Sequence, residues 1–327
     1  MSLSPEELKS QLKGVVPVQY CPHKENGEVD YEGLRENTEF LVDFTNNGEK
    51  DFVIMTNGST TEFYANSVEE QKKVIDTVVE ASGNVPVIAG TAAPGTKLTI
   101  ELSQYAQEAG ADAAVVVLPY YHNATVEGLY RHYTQIADAV DISVMIYNNP
   151  DVSGAAVPVP LAERLSKVEN IVGVKDNYPT AGHYSAMSAN IDPDDFVLIN
   201  GLGDVPFVGS AAYGFKYKGF VTALANFAPS LSYEVYEAVK EKDFDKADKA
   251  LDKQRPFWNF VGKVNGVRES ASIIPSTLRT NYMYMGVGKA AMDLVGLNGG
   301  PLREPLDNLT AEEKDELRDV LKEIGAL

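Results

Sequence analysis

Lys175 closes the run Ile171-Val172-Gly173-Val174, which carries no other charge. A lysine at the apolar end of a buried strand is poorly solvated as an ammonium, so its pKa falls. The neutral amine can attack a ketone and form an imine, and the protonated imine is an electron sink for a carbanion at the adjacent carbon. The competing reading is a snorkelling lysine paired with its neighbour Asp176. Tyr147 ends the run Ser143–Asn148 and adds a phenol. If the two runs are neighbouring strands, their ends lie about 5 Å apart. A phenol of perturbed pKa can then protonate a carbinolamine and hand a proton to a leaving group. Alone, Tyr147 reads as a packing tyrosine; beside Lys175 it says more.

Other candidates follow apolar runs in the same way. Gly58, Ser59 and Thr60 lead from one run toward a helix, where hydroxyls and backbone N–H groups can hold a carboxylate. Helix capping is the plainer account of those residues. Tyr121 follows Pro119, and Gly201 opens Gly201-Leu202-Gly203-Asp204. The two glycines allow a tight turn or the close approach of a ligand to the backbone. Metal chemistry has little support. His23, His122, His132 and His183 are scattered, with no H-x-H or H-E-x-x-H pair. No G-x-S-x-G elbow with a plausible triad is present. Tyr282, Met283, Tyr284 and Met285 read as core or interface at a helix end.

The elements that must position these groups repeat as an apolar run followed by an amphipathic segment. The runs are Val15–Tyr20, Phe52–Thr56, Val85–Thr91, Ala113–Pro119, Ser143–Asn148, Ile171–Asp176, Phe196–Asn200 and Gly219–Phe227. They are rich in Val and Ile and apolar throughout, as strands buried on both faces are in a parallel sheet. Between them, sets such as Leu129, Tyr133, Ile136 and Val140 recur at helical spacing. About eight such units in series predict an α/β fold, a (β/α)8 TIM barrel with a C-terminal helical extension. A doubly wound open sheet is the second choice, and Gly-x-Gly-x-x-Gly does not follow the first strand. The expected division is 1–228 for the barrel and 229–327 for helices packed on it. Those helices are expected at 230–242, 244–262, 266–283, 287–295 and 310–324. In a barrel, chemistry gathers at the C-terminal ends of strands, where every candidate above falls.

The bulk numbers set limits. With 327 residues and a single cysteine, Cys21, the chain can bury a large core without an intrachain disulfide. That fits a reducing compartment, and a cytoplasmic protein is expected. The formal net charge is -19, which repels phosphate backbones and anionic membranes. Nucleic acid and membrane are therefore not expected partners. An anionic substrate must be held by local positive charge or aligned N–H groups. No apolar run reaches the roughly 18 residues of a membrane span. The N-terminal Met-Ser-Leu-Ser-Pro-Glu-Glu-Leu reads as a capped helix start and not as a signal peptide.

Taken together, Gly58-Ser59-Thr60-x-Glu62, Pro119-Tyr120-Tyr121, Tyr147-Asn148-x-Pro150 and Gly173-Val174-Lys175 resemble the dihydrodipicolinate synthase / N-acetylneuraminate lyase family in order and spacing. Pro86-Val87-Ile88-Ala89-Gly90-Thr91 and Gly201-x-Gly203-Asp204 belong to the same resemblance, which runs from about Gly14 to the C-terminus. It implies a Schiff base between Lys175 and pyruvate or a pyruvyl-containing substrate, with no further cofactor and no metal. It implies Tyr147 as acid/base, Ser59 and Thr60 as carboxylate holders, and Thr60 in a proton relay. Tyr121 is implied to extend that relay, typically into a neighbouring subunit of a homotetramer built as a dimer of dimers.

The chain also departs from the pattern. Dihydrodipicolinate synthases typically carry Thr-Thr-Gly-Glu where this chain has Ser59-Thr60-Thr61-Glu62, and an arginine where it has Val152. Losing a bidentate carboxylate partner costs roughly 2 kcal/mol or more in recognition. Val152-Ser153-Gly154 is similar to the neuraminate lyase branch, yet Asn177 stands where that branch usually has threonine. The leading expectation is a Schiff-base lyase or aldolase acting on a 2-keto acid. The alternatives are a dehydratase of a 2-keto-3-deoxy sugar acid, a true dihydrodipicolinate synthase and a non-catalytic keto-acid sensor. A sensor needs neither Lys175 nor Tyr147.

Overall fold

A computed structural model describes residues 2–273, 275 and 282–327 of the chain. Among the described residues, eight strands form one parallel sheet: β1 (Gly14–Pro17), β2 (Ile54–Thr56), β3 (Val87–Gly90), β4 (Ala113–Val117), β5 (Ser143–Asn148), β6 (Ile171–Asp176), β7 (Val197–Asn200) and β8 (Tyr217–Thr222). The order β1-β8-β7-β6-β5-β4-β3-β2 brings the first two strands back together. Bridges between Val15 and Phe52 and between Val18 and Met55 complete the ring. The Gln19 N–H donates to the Met55 carbonyl at 2.8 Å across the same seam. The fold is thus a (β/α)8 barrel.

Two apolar cores follow from strand alternation. Val16, Met55, Val115, Val117, Met145, Tyr147, Val172, Ile199 and Val221 fill the barrel with Leu8 and Leu12. Leu8 lies on the helix Pro5–Gln11, whose N-terminus is capped by Ser4 and Glu7. The outward-facing residues, such as Val116, Ile146, Val174 and Leu198, pack under the surrounding helices.

The alternation breaks once where it matters. In β6, Val172 faces the barrel interior, yet Val174 faces the helices. The pairing of β5 with β6 jumps from Val144–Ile171 to Met145–Gly173, leaving Val172 as the extra residue of a bulge. Inserting one residue reverses which face the later side chains occupy. Lys175 therefore turns into the barrel and Asp176 turns out. At Gly173 a side chain would collide with the Val197 backbone, so only glycine lets β6 approach β7 there.

The C-terminal part is helical: Pro229–Lys240, Phe244–Gly266, Met283–Leu294 and Ala311–Glu323. They enclose a separate core around Phe257, Phe260, Met283, Met292, Leu317 and Leu321. Two sequence expectations need correction. β8 ends at Thr222, because Leu224–Asn226 forms a 3-10 turn whose Asn226 amide donates to the Val18 carbonyl at 2.9 Å. The expected helix 266–283 is not continuous. Arg268 caps the preceding helix by donating to the Val264 carbonyl at 2.7 Å, and residues 267–273 are non-helical. Residues 274 and 276–281 of that expected helix lie outside the described residues.

Candidate active site

Parallel pairing places Tyr147 of β5 directly beside Lys175 of β6. Both are buried, at 6% and 3% exposure, and both stand at the C-terminal end of the barrel. The Lys175 Nζ lies 3.9 Å from the centre of the Tyr147 ring and 3.8 Å from the Met55 Sδ. A ring face favours the ammonium, but burial away from water favours the neutral amine. Burial wins: it pulls the lysine from 10.5 down to about 7.

Asp176 does not pair with Lys175. Its Oδ1 accepts from the Asn148 amide at 2.9 Å and the Tyr178 N–H at 3.2 Å, and its Oδ2 accepts from the Tyr217 hydroxyl at 2.8 Å. His183 Nε2 lies 3.0 Å from the same oxygen. The ion-paired, snorkelling reading of Lys175 is therefore wrong, and the β6 bulge is the physical reason.

Tyr147 is pushed upward by burial, and hydrogen bonds to its oxygen from Ser59 and Asn149 oppose that rise. The Asn149 amide donates at 2.8 Å. The phenol thus stays protonated at neutral pH, as a general acid requires.

The loop after β2 is held on every side. The Asn57 amide donates to the Gln71 carbonyl at 2.9 Å, and the Thr61 hydroxyl donates to the Gln19 carbonyl at 2.7 Å. Gly58 has no room for a side chain beside Val18. Ser59 and Thr60 begin a single 3-10 turn, Ser59–Thr61, whose first N–H groups have no acceptor within the turn. Thr60 is buried, and its Oγ1 lies 3.0 Å from the Tyr284 hydroxyl. Glu62 adopts the left-handed conformation, with φ 57°. That geometry is unfavourable for a residue with a Cβ and survives only where surroundings enforce it. Here the Lys289 Nζ donates to Oε1 at 2.8 Å and the Arg303 N–H to Oε2 at 3.0 Å.

The structure does not bring every expected residue to Lys175. Tyr121 is 79% exposed and stacks edge-on with His122. Gly201 is committed to packing: its N–H donates to the Asp176 carbonyl at 2.8 Å, and a side chain there would strike Asn177. Tyr284, read from sequence as core or interface, packs against the C-terminal core, and its hydroxyl also meets Thr60. No local signal in the sequence links two residues 224 positions apart.

The chain and its fold are similar to known proteins. The model of the dihydrodipicolinate synthetase family matches residues 11–324. A 4-hydroxy-tetrahydrodipicolinate synthase of Methanopyrus kandleri is 33% identical, covering 97% of this chain and 98% of that one. A crystal structure of dihydrodipicolinate synthase from Acinetobacter baumannii, complexed with pyruvate, superposes with a TM-score of 0.80 at 28% identity. It covers 97% of this chain and 100% of its own. A monomeric dihydrodipicolinate synthase variant gives a TM-score of 0.82 at 26% identity, covering 98% of this chain and 99% of its own.

Proposed function

Because this chain belongs to the dihydrodipicolinate synthetase family, whose members are lyases of the class I aldolase type, we propose that Lys175 forms a Schiff base with pyruvate or a pyruvyl-containing substrate. The observation that carries the proposal is a buried amine with no carboxylate partner among the described residues, lowered to about 7, packed against a buried phenol. At neutral pH roughly half of such an amine is uncharged.

The neutral Nζ attacks the keto carbon. The C–N bond forms while the carbonyl oxygen takes a proton from the Tyr147 hydroxyl. The adduct nitrogen returns a proton to Tyr147, which passes it to the departing hydroxyl; water leaves, the imine stays protonated on nitrogen, and the Tyr147 oxygen is ready to accept the next proton. Loss of a proton from the adjacent carbon gives an enamine that can join an aldehyde; the reverse order cleaves the C–C bond. Ser59 and Thr60 hold the carboxylate through their hydroxyls and N–H groups. This supplies the local donors that the overall charge of -19 makes necessary. Gly58 lets the turn sit against Val18. Gly201, bound to the Asp176 carbonyl, keeps the turn after β7 close to β6 beside the amine. No external cofactor or metal enters this scheme.

Tyr121, exposed on its own chain, is offered to a second subunit in a homotetrameric, cytoplasmic enzyme. Val152, 44% exposed, stands where the resemblance places an arginine for the second substrate and supplies no charge there. The test is to incubate the protein with pyruvate and borohydride and to weigh its peptides. One reduced adduct, on Lys175 and missing in Lys175→Ala, is the expected result. An unlabelled protein refutes the proposal. A panel of keto-deoxy acids and aldehydes, scored for pyruvate release against water loss, then separates aldol cleavage from dehydration.

A further inference from the structure

The hydroxyl of Thr60 has a partner inside its own chain. Tyr284 sits in the first turn of the helix Met283–Leu294, more than two hundred residues beyond the β2 loop, and its hydroxyl lies 3.0 Å from Thr60 Oγ1. The helix is fixed to the same end of the barrel at several points. The Tyr20 hydroxyl, just beyond β1, donates to the Tyr284 carbonyl at 3.2 Å. Gly288 allows this approach, since a side chain there would collide with the Tyr20 ring. One turn later Lys289, 1% exposed, donates to Glu62, to the Cys21 carbonyl at 2.8 Å and to the Pro301 carbonyl at 2.7 Å. Its Nζ is also 3.0 Å from His23 Nδ1. Glu62 is two residues from Thr60. The same helix thus grips the β2 loop twice, through Tyr284 at Thr60 and through Lys289 at Glu62.

A threonine hydroxyl has one proton to give and lone pairs that accept. If the tyrosine donates, the threonine proton is free to point at the substrate. Burial raises Tyr284 above its ordinary value; the Thr60 hydrogen bond partly opposes that rise, and Tyr147, Tyr64 and Asp151 nearby add to it. Tyr284 is therefore a protonated donor across the working pH range.

We propose that Tyr284 is a positioning residue for the Schiff-base chemistry, donating its hydroxyl proton to Thr60 Oγ1 so that the Thr60 proton faces the keto acid, and that this relay contact is made within one chain. At Thr60, Tyr284 takes the relay place that the resemblance gives to Tyr121 of a neighbouring subunit, which leaves Tyr121 a subunit contact outside the relay. The inference rests on the proposed role of Lys175 and adds a residue to it.

The experiment follows exchange of the pyruvate methyl protons in D2O by proton NMR, at saturating pyruvate, with borohydride trapping run in parallel. Phenylalanine at 284 keeps the ring and removes only the hydroxyl. Tyr284→Phe is expected to slow exchange about 10-fold or more while Lys175 remains trappable and the melting temperature stays within a few degrees. Thr60→Val is expected to slow it similarly. The double variant is expected to be no more than about twofold slower than the slower single variant, because both remove one interaction. A role limited to packing gives additive losses. Thr60→Val combined with Tyr121→Phe is expected to be additive. Full exchange in Tyr284→Phe overturns the inference. So does additivity between residues 60 and 284, or non-additivity between 60 and 121 in its place. If wild-type protein forms no Lys175 adduct, the proposed function itself fails; if the adduct forms and Tyr284→Phe is unimpaired, only this inference does.

Discussion

The Nζ of Lys175 stands 3.9 Å from the ring centre of Tyr147, its direct partner in the register of β5 and β6. The contact depends on both side chains facing the barrel interior, and for Lys175 that facing is a product of the bulge at Val172. Amine, phenol and bulge therefore form one unit, and each can be tested separately.

The buried amine opposes folding when it is charged. Its folded value of about 7 lies below the 10.5 of an unfolded chain. Between those values the unfolded state binds more protons, so stability rises with pH. Below about pH 7 the penalty is complete, and above about 10.5 it is gone. Lys175→Met, close in shape and uncharged, is expected to stabilise the protein by about 5 kcal/mol at most at pH 6. The gain shrinks steadily toward pH 10, as denaturant unfolding at several pH values would show. A gain independent of pH contradicts the assignment.

Gly173→Ala places a methyl group against the Val197 backbone. Overpacking of this kind costs about 1–3 kcal/mol. Because the strain falls in the bulge that aims Lys175, the variant is expected to lose imine formation out of proportion to its stability. Trapping rates compared with unfolding midpoints would reveal it; normal trapping in a destabilised protein contradicts the role given to the bulge.

Tyr147→Phe retains the ring beside the amine and removes the acid. Proton transfer is expected to slow roughly 100-fold or more, with some imine still formed. Ser59→Ala removes the single hydroxyl proton that goes to the phenol oxygen in the free protein and turns to the carboxylate when pyruvate binds, so KM for pyruvate is expected to rise about 10-fold. Steady-state kinetics separates the two, since one variant acts on kcat and the other on KM.

Glu62 and Lys289 are 0% and 1% exposed at the side chain. Removing one member of a buried pair leaves an unpaired charge and costs about 3–5 kcal/mol. Lys289→Met is expected to lose that much by chemical unfolding and to weaken pyruvate binding, because Glu62 loses a group that holds its left-handed backbone. Combining it with Glu62→Gln is expected to cost less than the sum of the two.

Much of this was legible in the residues. Strands buried on both faces made runs such as Ala113–Val117 and Ile171–Asp176 stand out, and the barrel follows from their succession. Lys175 and Tyr147 were visible because each ends such a run. What lay beyond reach depends on register and on long-range packing. The bulge at Val172 decides between a lysine paired with Asp176 and one inside the barrel, and a six-residue apolar run does not announce it. Tyr284 read as core or interface and Lys289 did not stand out, because their polar partners, Thr60 and Glu62, are brought to them only by the closed fold. The break after Gly266 depends on Arg268 reaching Val264 and Glu313, again a tertiary contact.

The most direct test is the pH dependence of pyruvate trapping. Borohydride reduction at fixed pyruvate, quantified on the peptide that contains Lys175, is predicted to rise with pH to a plateau with a midpoint near 7. A midpoint near that of an ordinary lysine, or an adduct on any other lysine, would contradict the account.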